Sequence, residues 1–218
     1  MGRANIAAGL GAGARRGNAA YDFATDATAA GPGAGVFVLE TQILVEAARL
    51  EDAAAIAAIY AHHVLHGVAS YETEPPDAPE MARRMAAVLD SGWPWLVARG
   101  ADGALLGYAY ASQFRPRAAY RYGCENSIYI RDDARGQGIG KALMLALIAA
   151  AEQCGFRQMV AVIGGAEPAS AALHSACGFV EVGRLRAMGR KHGRWLDNLY
   201  MQRALGAGDG TEPPEEPR

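Results

Sequence analysis

The chain has 218 residues, 51% hydrophobic and 20% charged, which is enough apolar material for one ordinary core and too much for a disordered polypeptide. Its formal net charge of −2 is unevenly placed: residues 1–35 carry three Arg against two Asp, residues 206–218 carry four acids against one Arg, and the body between is neutral. A neutral body lacks the basic excess that counterion release from phosphates requires, which argues against a dedicated nucleic-acid binder and for small-molecule partners.

The three cysteines, Cys124, Cys154 and Cys177, offer neither a disulfide framework nor a paired metal-ligand spacing, and suit a reducing, cytoplasmic compartment. The longest helix-like apolar stretch is about half a membrane span, so no membrane partner is expected. Ala and Gly fill 20 of the first 35 residues, and this segment reads as a disordered extension of no catalytic importance. The domain is expected over 36–205, with 206–218 a solvated, disordered acidic tail.

Within that body the apolar pattern switches between period 2 and period 3.6. Residues 43–47 read as a short strand and 50–66 as an amphipathic helix ended by Gly67. Asp77, followed three residues later by Glu80, gives a capping-box start to a helix reaching about Leu89. Residues 95–99 and 105–112, joined by a turn at Asp102-Gly103, form a hairpin. A strand at 125–130 runs into a Gly-rich stretch and then a helix over 141–154 stopped by Gly155. A strand at 158–163, a short helix at 168–176 and strands at 179–185 and 195–202 complete the series. Helices and strands alternating around one mixed sheet make the class α/β or α+β in a single domain.

The stretch Arg135-Gly136-Gln137-Gly138-Ile139-Gly140-Lys141 lies between a strand and a helix. Glycines there allow tight turns and aim N–H groups outward, where the helix dipole adds about half a positive charge, suiting a phosphate or pyrophosphate. A P-loop would need one more residue before Gly-Lys and then Ser or Thr, whereas Ala142 follows; a dinucleotide fingerprint would need a different glycine spacing and an acid closing a second strand. A plain structural loop is the remaining alternative.

Arg135-x-x-Gly138-x-Gly140 after a strand resembles the acetyl-CoA pyrophosphate loop of the GNAT N-acetyltransferases. The segments Tyr71-Glu72-Thr73-Glu74-Pro75, Arg115-Pro116-Arg117-Ala118-Ala119-Tyr120, Glu125-Asn126-Ser127-Ile128-Tyr129-Ile130, Val160-Ala161-Val162-Ile163-Gly164, Leu173-His174 and Lys191-His192-Gly193-Arg194-Trp195 are similar, in order and spacing, to the phosphinothricin acetyltransferase group, which also includes acetyltransferases of methionine sulfone and methionine sulfoximine. The resemblance covers about residues 42–205. It implies a GNAT domain with a mostly antiparallel mixed sheet flanked by helices, acetyl-CoA as co-substrate, a small amino-acid-like acceptor and a homodimer.

By the same resemblance, Ile128, Tyr129 and Ile130 would meet the pantetheine arm, with backbone groups of Ile128 and Ile130 pairing to it. Arg135, Gly136, Gln137, Gly138, Ile139, Gly140 and Lys141 would cradle the pyrophosphate, and Ser170 would lie near the cofactor's far end. Glu167 stands where the family commonly has Asn, which would put a carboxylate near the cofactor. Glu125 is the expected base: an ammonium has no lone pair, so the acceptor must first lose a proton, and a carboxylate takes it directly or through a water. The alternative for Glu125 is a strand-end carboxylate in solvent.

His174 is a second catalytic candidate, against a packed helix histidine. Arg115, Arg117 and Tyr120 precede the catalytic strand; a guanidinium suits a carboxylate, phosphinate or sulfone, so these residues, with Tyr71, form the expected acceptor site. His62, His63 and His66 read as a solvated helix face, since two histidines without a third ligand make a poor metal site, and no metal is required. Cys124 and Cys177 read as buried thiols. Rival functions are an acetyltransferase of a polyamine or protein N-terminus, and a catalytically silent acyl-CoA sensor.

Overall fold

The computed structural model describes residues 43–213; the Ala- and Gly-rich extension and the last five residues lie outside the described range. Among the described residues the strands are β1 (Leu44–Ala47), β2 (Trp95–Arg99), β3 (Leu105–Gln113), β4 (Gly123–Ile130), β5 (Gln158–Gly164), β6 (Val180–Lys191) and β7 (Arg194–Ala204). The helices are α1 (Ala53–His66), α2 (Ala78–Asp90), α3 (Ile139–Gln153) and α4 (Pro168–Ala176). The strands form one mixed sheet in the order β1-β2-β3-β4-β5-β7-β6, in which only β4 and β5 run parallel.

Alternation along the strands sorts the core into two clusters on opposite faces of the sheet. Trp95, Val97 and Tyr108 point to the face covered by α1 and α2, where they meet Ile56, Tyr60, Val64 and Met85. Leu96, Ala98, Ala109 and Ala111 point the other way, against Leu143, Met144 and Leu147 of α3. Asp77 caps α2, its side chain accepting the Glu80 N–H at 2.9 Å. The return half of the expected capping box is replaced, because the Glu80 carboxylate accepts from Arg83 and Arg84 instead.

Two regions depart from the sequence expectation. The strand anticipated over 179–185 continues to Lys191 as β6 and turns into β7 at His192-Gly193, both with positive φ (48° and 74°), the geometry a two-residue hairpin needs. Residues 206–213, expected as solvated tail, fold back instead. Leu205 is buried, and Arg157 donates to the carbonyl of Gly208 at 3.0 Å and to the Thr211 hydroxyl at 2.9 Å.

Candidate active site

The parallel pair β4 and β5 stays in register only from Gly123↔Gln158 to Asn126↔Ala161. Past that point β4 remains bonded to β3 as far as Ile130, β5 remains bonded to β7 as far as Gly164, and a gap opens between them. Asn126 stands at its apex, where an Asn in mid-strand is unfavourable unless its amide has work to do. It is 6% exposed, donates from Nδ2 to the Val160 carbonyl at 3.3 Å, and meets His174 Nε2 at 3.0 Å.

The edge that β4 turns to the gap follows from parity. The Gly123 carbonyl accepts from Phe114 and the Arg131 N–H donates to Leu106, so odd-numbered residues direct their backbone groups to β3. Even-numbered residues, Ile128 and Ile130 among them, therefore direct theirs to the open side. The gap widens into a cavity of about 390 Å³ lined by residues 125–129 of β4, 161–164 of β5, Ser170 and His174 of α4, the 69–72 loop, Tyr60 and Asn198.

Glu125 lies in this wall, half-buried, and burial raises its carboxyl above the usual 4.5 while the nearby Arg115 charge partly offsets the rise. Tyr129 faces α1, its ring edge-on to Tyr60 at 4.9 Å. The Tyr71 hydroxyl donates to the Asp197 carbonyl at 3.0 Å and accepts the Gly165 N–H at 3.2 Å. Its ring occupies the space beside Gly189, where a Cβ would come within 2.5 Å. Glu72, which the sequence pattern did not single out as a site residue, also reaches the cavity; Arg84 holds it at 2.8 Å, and the Tyr60 hydroxyl donates to it at 3.0 Å.

Beyond the end of β4 the glycine loop divides its work. Gly136 and Gly138 have φ of 75° and 82°, and a Cβ on either would meet nothing within 4 Å, so the loop surface is open. Gly138 is the N-cap of α3, leaving the first N–H groups of that helix for an anion. Gly140 serves packing, since its Cβ would stand 3.2 Å from Leu173 of α4. The Ile139 side chain belongs to the core. Gln137 donates to the Asp133 carbonyl at 3.2 Å, and Arg135 pairs with Asp132 at 3.3 Å.

Other expected residues are placed differently. Arg115, Arg117 and Tyr120 do not line the cavity. Arg115 lies 4.2 Å over the Phe114 ring, Tyr120 packs edge-on to the same ring, and the Gln113 side chain shapes the turn by donating to the carbonyls of Arg115 (2.6 Å) and Arg117 (3.0 Å). Glu167 caps α4, accepting the Ser170 N–H at 2.8 Å. His174 is 2% exposed, with Nδ1 against the Ser170 carbonyl at 2.7 Å and Nε2 on Asn126, so it clamps α4 to β4; burial pushes its pKa down. His62 and His66 are open to solvent, but His63 is buried, which corrects the expectation of a wholly solvated histidine face. Cys124 and Cys177 are buried, and burial pushes the Cys124 thiol up to about 12. Among the described residues no group of three or more His, Cys, Asp or Glu is placed to hold a metal ion, and no helix is long and apolar enough to cross a membrane.

Residues 45–200 match the family model of the acetyltransferase (GNAT) domain. The chain belongs to the GNAT acetyltransferase family. A GNAT superfamily phosphinothricin acetyltransferase from Sinorhizobium meliloti, solved in complex with AcCoA, superposes with a TM-score of 0.78 at 50% identity, covering 80% of this chain and 95% of that one. The phosphinothricin N-acetyltransferase of Alcaligenes faecalis is 52% identical over 82% of this chain and 91% of its own. The L-methionine sulfoximine/L-methionine sulfone acetyltransferase of Pseudomonas paraeruginosa is 39% identical over 71% and 90%. In this GNAT chain one sheet carries both the cleft and the strand that leads into the glycine loop.

Proposed function

We propose that the protein transfers the acetyl group of acetyl-CoA to the amino group of a small amino-acid analogue of the phosphinothricin, methionine sulfone or methionine sulfoximine type. The observation that carries this reading is a gap between β4 and β5 with a half-buried carboxylate in its wall, on a strand that leads into an open glycine loop at a helix N-terminus. The residues fit the co-substrate: the N–H and carbonyl of Ile128 and the N–H of Ile130 on the open edge suit the amides of a pantetheine arm, the Ile130 carbonyl being taken by His63, and Gly136 and Gly138 leave room for a pyrophosphate over the N–H groups of α3. Ser170 lies in the same wall. Acetyl-CoA supplies an activated thioester whose carbonyl carbon accepts the amine as the C–S bond breaks.

Glu125 takes the proton from the acceptor's ammonium, directly or through a water, exposing the lone pair that forms the C–N bond. Its raised pKa makes it a stronger base than an exposed carboxylate; the proton it gains leaves to solvent, and the second proton, which nitrogen sheds as the amide forms, goes to the departing thiolate. Tyr71 and Tyr129 wall the acceptor, and Asn126 and His174 keep the cleft open by tying β4 to α4. Acetylation blocks the amino group of a toxic analogue, so the process served is detoxification in the cytoplasm. A polyamine would be drawn by an acidic wall, but Arg84 answers the charge of Glu72, and Arg115 and Arg117 lie on the loop leading into β4. The outer hairpin exposes Val182, Leu185, Met188 and Trp195, an apolar surface that supports a homodimer.

Thiol release from acetyl-CoA, measured across methionine sulfone, methionine sulfoximine, phosphinothricin, ordinary amino acids and polyamines, tests the assignment. Preference for spermidine over every amino-acid analogue would overturn the acceptor class. Arg115 and Arg117 stand outside the cavity on the loop leading into β4, where the Arg115 charge is felt at Glu125, so pairing with the acceptor's acidic group requires a guanidinium of this loop to swing in over the cavity mouth. Loss of one charge-assisted contact costs about 1.5–3 kcal/mol, so Arg117→Ala should lower kcat/KM for methionine sulfone by roughly ten- to over a hundredfold. A simple alkylamine should be hardly affected, and equal losses for both acceptors would place the anion's partner elsewhere.

A further inference from the structure

His63 is a buried titratable side chain that the steps above leave unused. It projects from α1 and is 8% exposed; its Nε2 lies 2.9 Å from the Ile130 carbonyl, the last of β4. A carbonyl only accepts, so Nε2 carries the proton. The same peptide unit is held at its other end, since the Arg131 N–H donates to the Leu106 carbonyl at 2.8 Å. One peptide plane is thus gripped from both sides, by β3 and by α1, where β4 stops and the chain departs for the glycine loop.

We propose that His63 is a positioning residue for the co-substrate: by fixing the Ile130–Arg131 peptide it sets the open edge of β4 and the approach of the glycine loop. This rests on the acetyl-CoA reading of the cleft. The segment between is short, a single 3₁₀ turn at Asp132–Ala134 whose Ala134 N–H returns to the Arg131 carbonyl at 3.0 Å. A rotation of the plane therefore passes on to Gly136. Without His63 the plane pivots on one bond, and the loop's N–H groups lose a common aim.

The imidazole is held for this task. Its ring packs edge-on to Tyr129, 5.2 Å between centroids, and to His62 at 5.9 Å. Burial is the largest influence on its pKa and lowers it; the Ile130 carbonyl and Asp132 favour a positive charge and offset part of that, Arg135 and His62 oppose one, and the balance lies below the ordinary histidine value, which favours the neutral ring. A neutral ring with its proton on Nε2 leaves only Nδ1 as an acceptor.

The test compares His63→Leu, which keeps bulk and removes the donor, with His63→Gln, whose amide can donate to the same carbonyl. In the ligand-free protein, amide exchange over residues 130–138 should quicken in the Leu variant, while exchange in α3 and β7 stays unchanged. Calorimetric affinity for acetyl-CoA should fall by about tenfold in the Leu variant and recover to within about threefold of wild type in the Gln variant. At saturating acetyl-CoA, kcat and the acceptor KM should stay within about twofold, since the reacting groups are untouched. Unchanged exchange and affinity in a folded Leu variant would overturn the proposal, as would equal losses in the Leu and Gln variants or a loss confined to kcat. If Leu prevents folding, the comparison of Gln with His63→Glu, similar in shape to Gln but a carboxylate without an amide donor, carries the same test. Failure of the unsubstituted protein to bind acetyl-CoA would remove the proposed activity, and the role of His63 with it.

Discussion

Replacing Glu125 by Gln should lower kcat by about 10²–10⁴-fold while acetyl-CoA affinity stays within about twofold, because the amide keeps the shape of the wall and removes the proton acceptor. The pH profile gives a sharper readout than the rate. A carboxylate must be ionised to act as base, so activity is present above its pKa and lost as pH falls through it. Burial places that limb above the ordinary 4.5, with Arg115 limiting the rise. In the Gln variant the limb should vanish from the residual activity. A variant with full kcat at neutral pH, or one that keeps the limb, would assign proton removal to another group.

Gly138 offers the second large effect, in the binding step. Its φ of 82° strains most L-residues, but Asn and Asp tolerate this region, and a Cβ there meets nothing within 4 Å. Gly138→Asn and Gly138→Asp should therefore both fold, which separates conformation from charge. The Asp variant sets a carboxylate at the N-cap of α3, where the proposed pyrophosphate would lie; its acetyl-CoA affinity should fall by at least about a hundredfold, the Asn variant's by about tenfold or less. Calorimetry on both, with circular dichroism to show the fold, decides the matter. Equal affinities in the two would mean that the loop does not seat an anion.

Much of this architecture was legible in the sequence because burial imposes a period. The expected 168–176 helix coincides with α4, and the strand at 158–163 differs from β5 by one residue, since each places apolar side chains at the spacing its backbone dictates. Strand β6 was read six residues short of Lys191 for the complementary reason. Nearly all its side chains are exposed, its register with β7 shifts twice, and Ala187 has a φ of 53°, so no alternation survives to mark it.

The glycine loop and Glu125 were visible as residue types in a pattern. The tasks of Asn126, His63 and Gln113 were not, because their partners are Val160 and His174, the Ile130 carbonyl, and two loop carbonyls, and only the folded chain brings these together. An Asn inside an apolar strand was the one available signal. Arg115, Arg117 and Tyr120 show the limit from the other side: a loop sequence names its side chains without giving their direction, and here all three lie off the cavity.

The parting of β4 and β5 leaves a sheet with two backbone edges in its middle as well as two at its rim, so part of what would hold an ordinary sheet together is left to a ligand. A molecule that binds these edges only in the folded state adds RT ln(1 + [L]/Kd) to the unfolding free energy, about 2.7 kcal/mol at a hundred times Kd. For a chain of this length each kcal/mol moves the melting midpoint by roughly 2–4 °C. The midpoint should therefore climb by roughly 5–10 °C as acetyl-CoA rises to that level, which scanning calorimetry can follow. In a cell, the lifetime of the folded chain would then track the supply of acyl donor, and starvation for that donor would expose the protein to proteolysis.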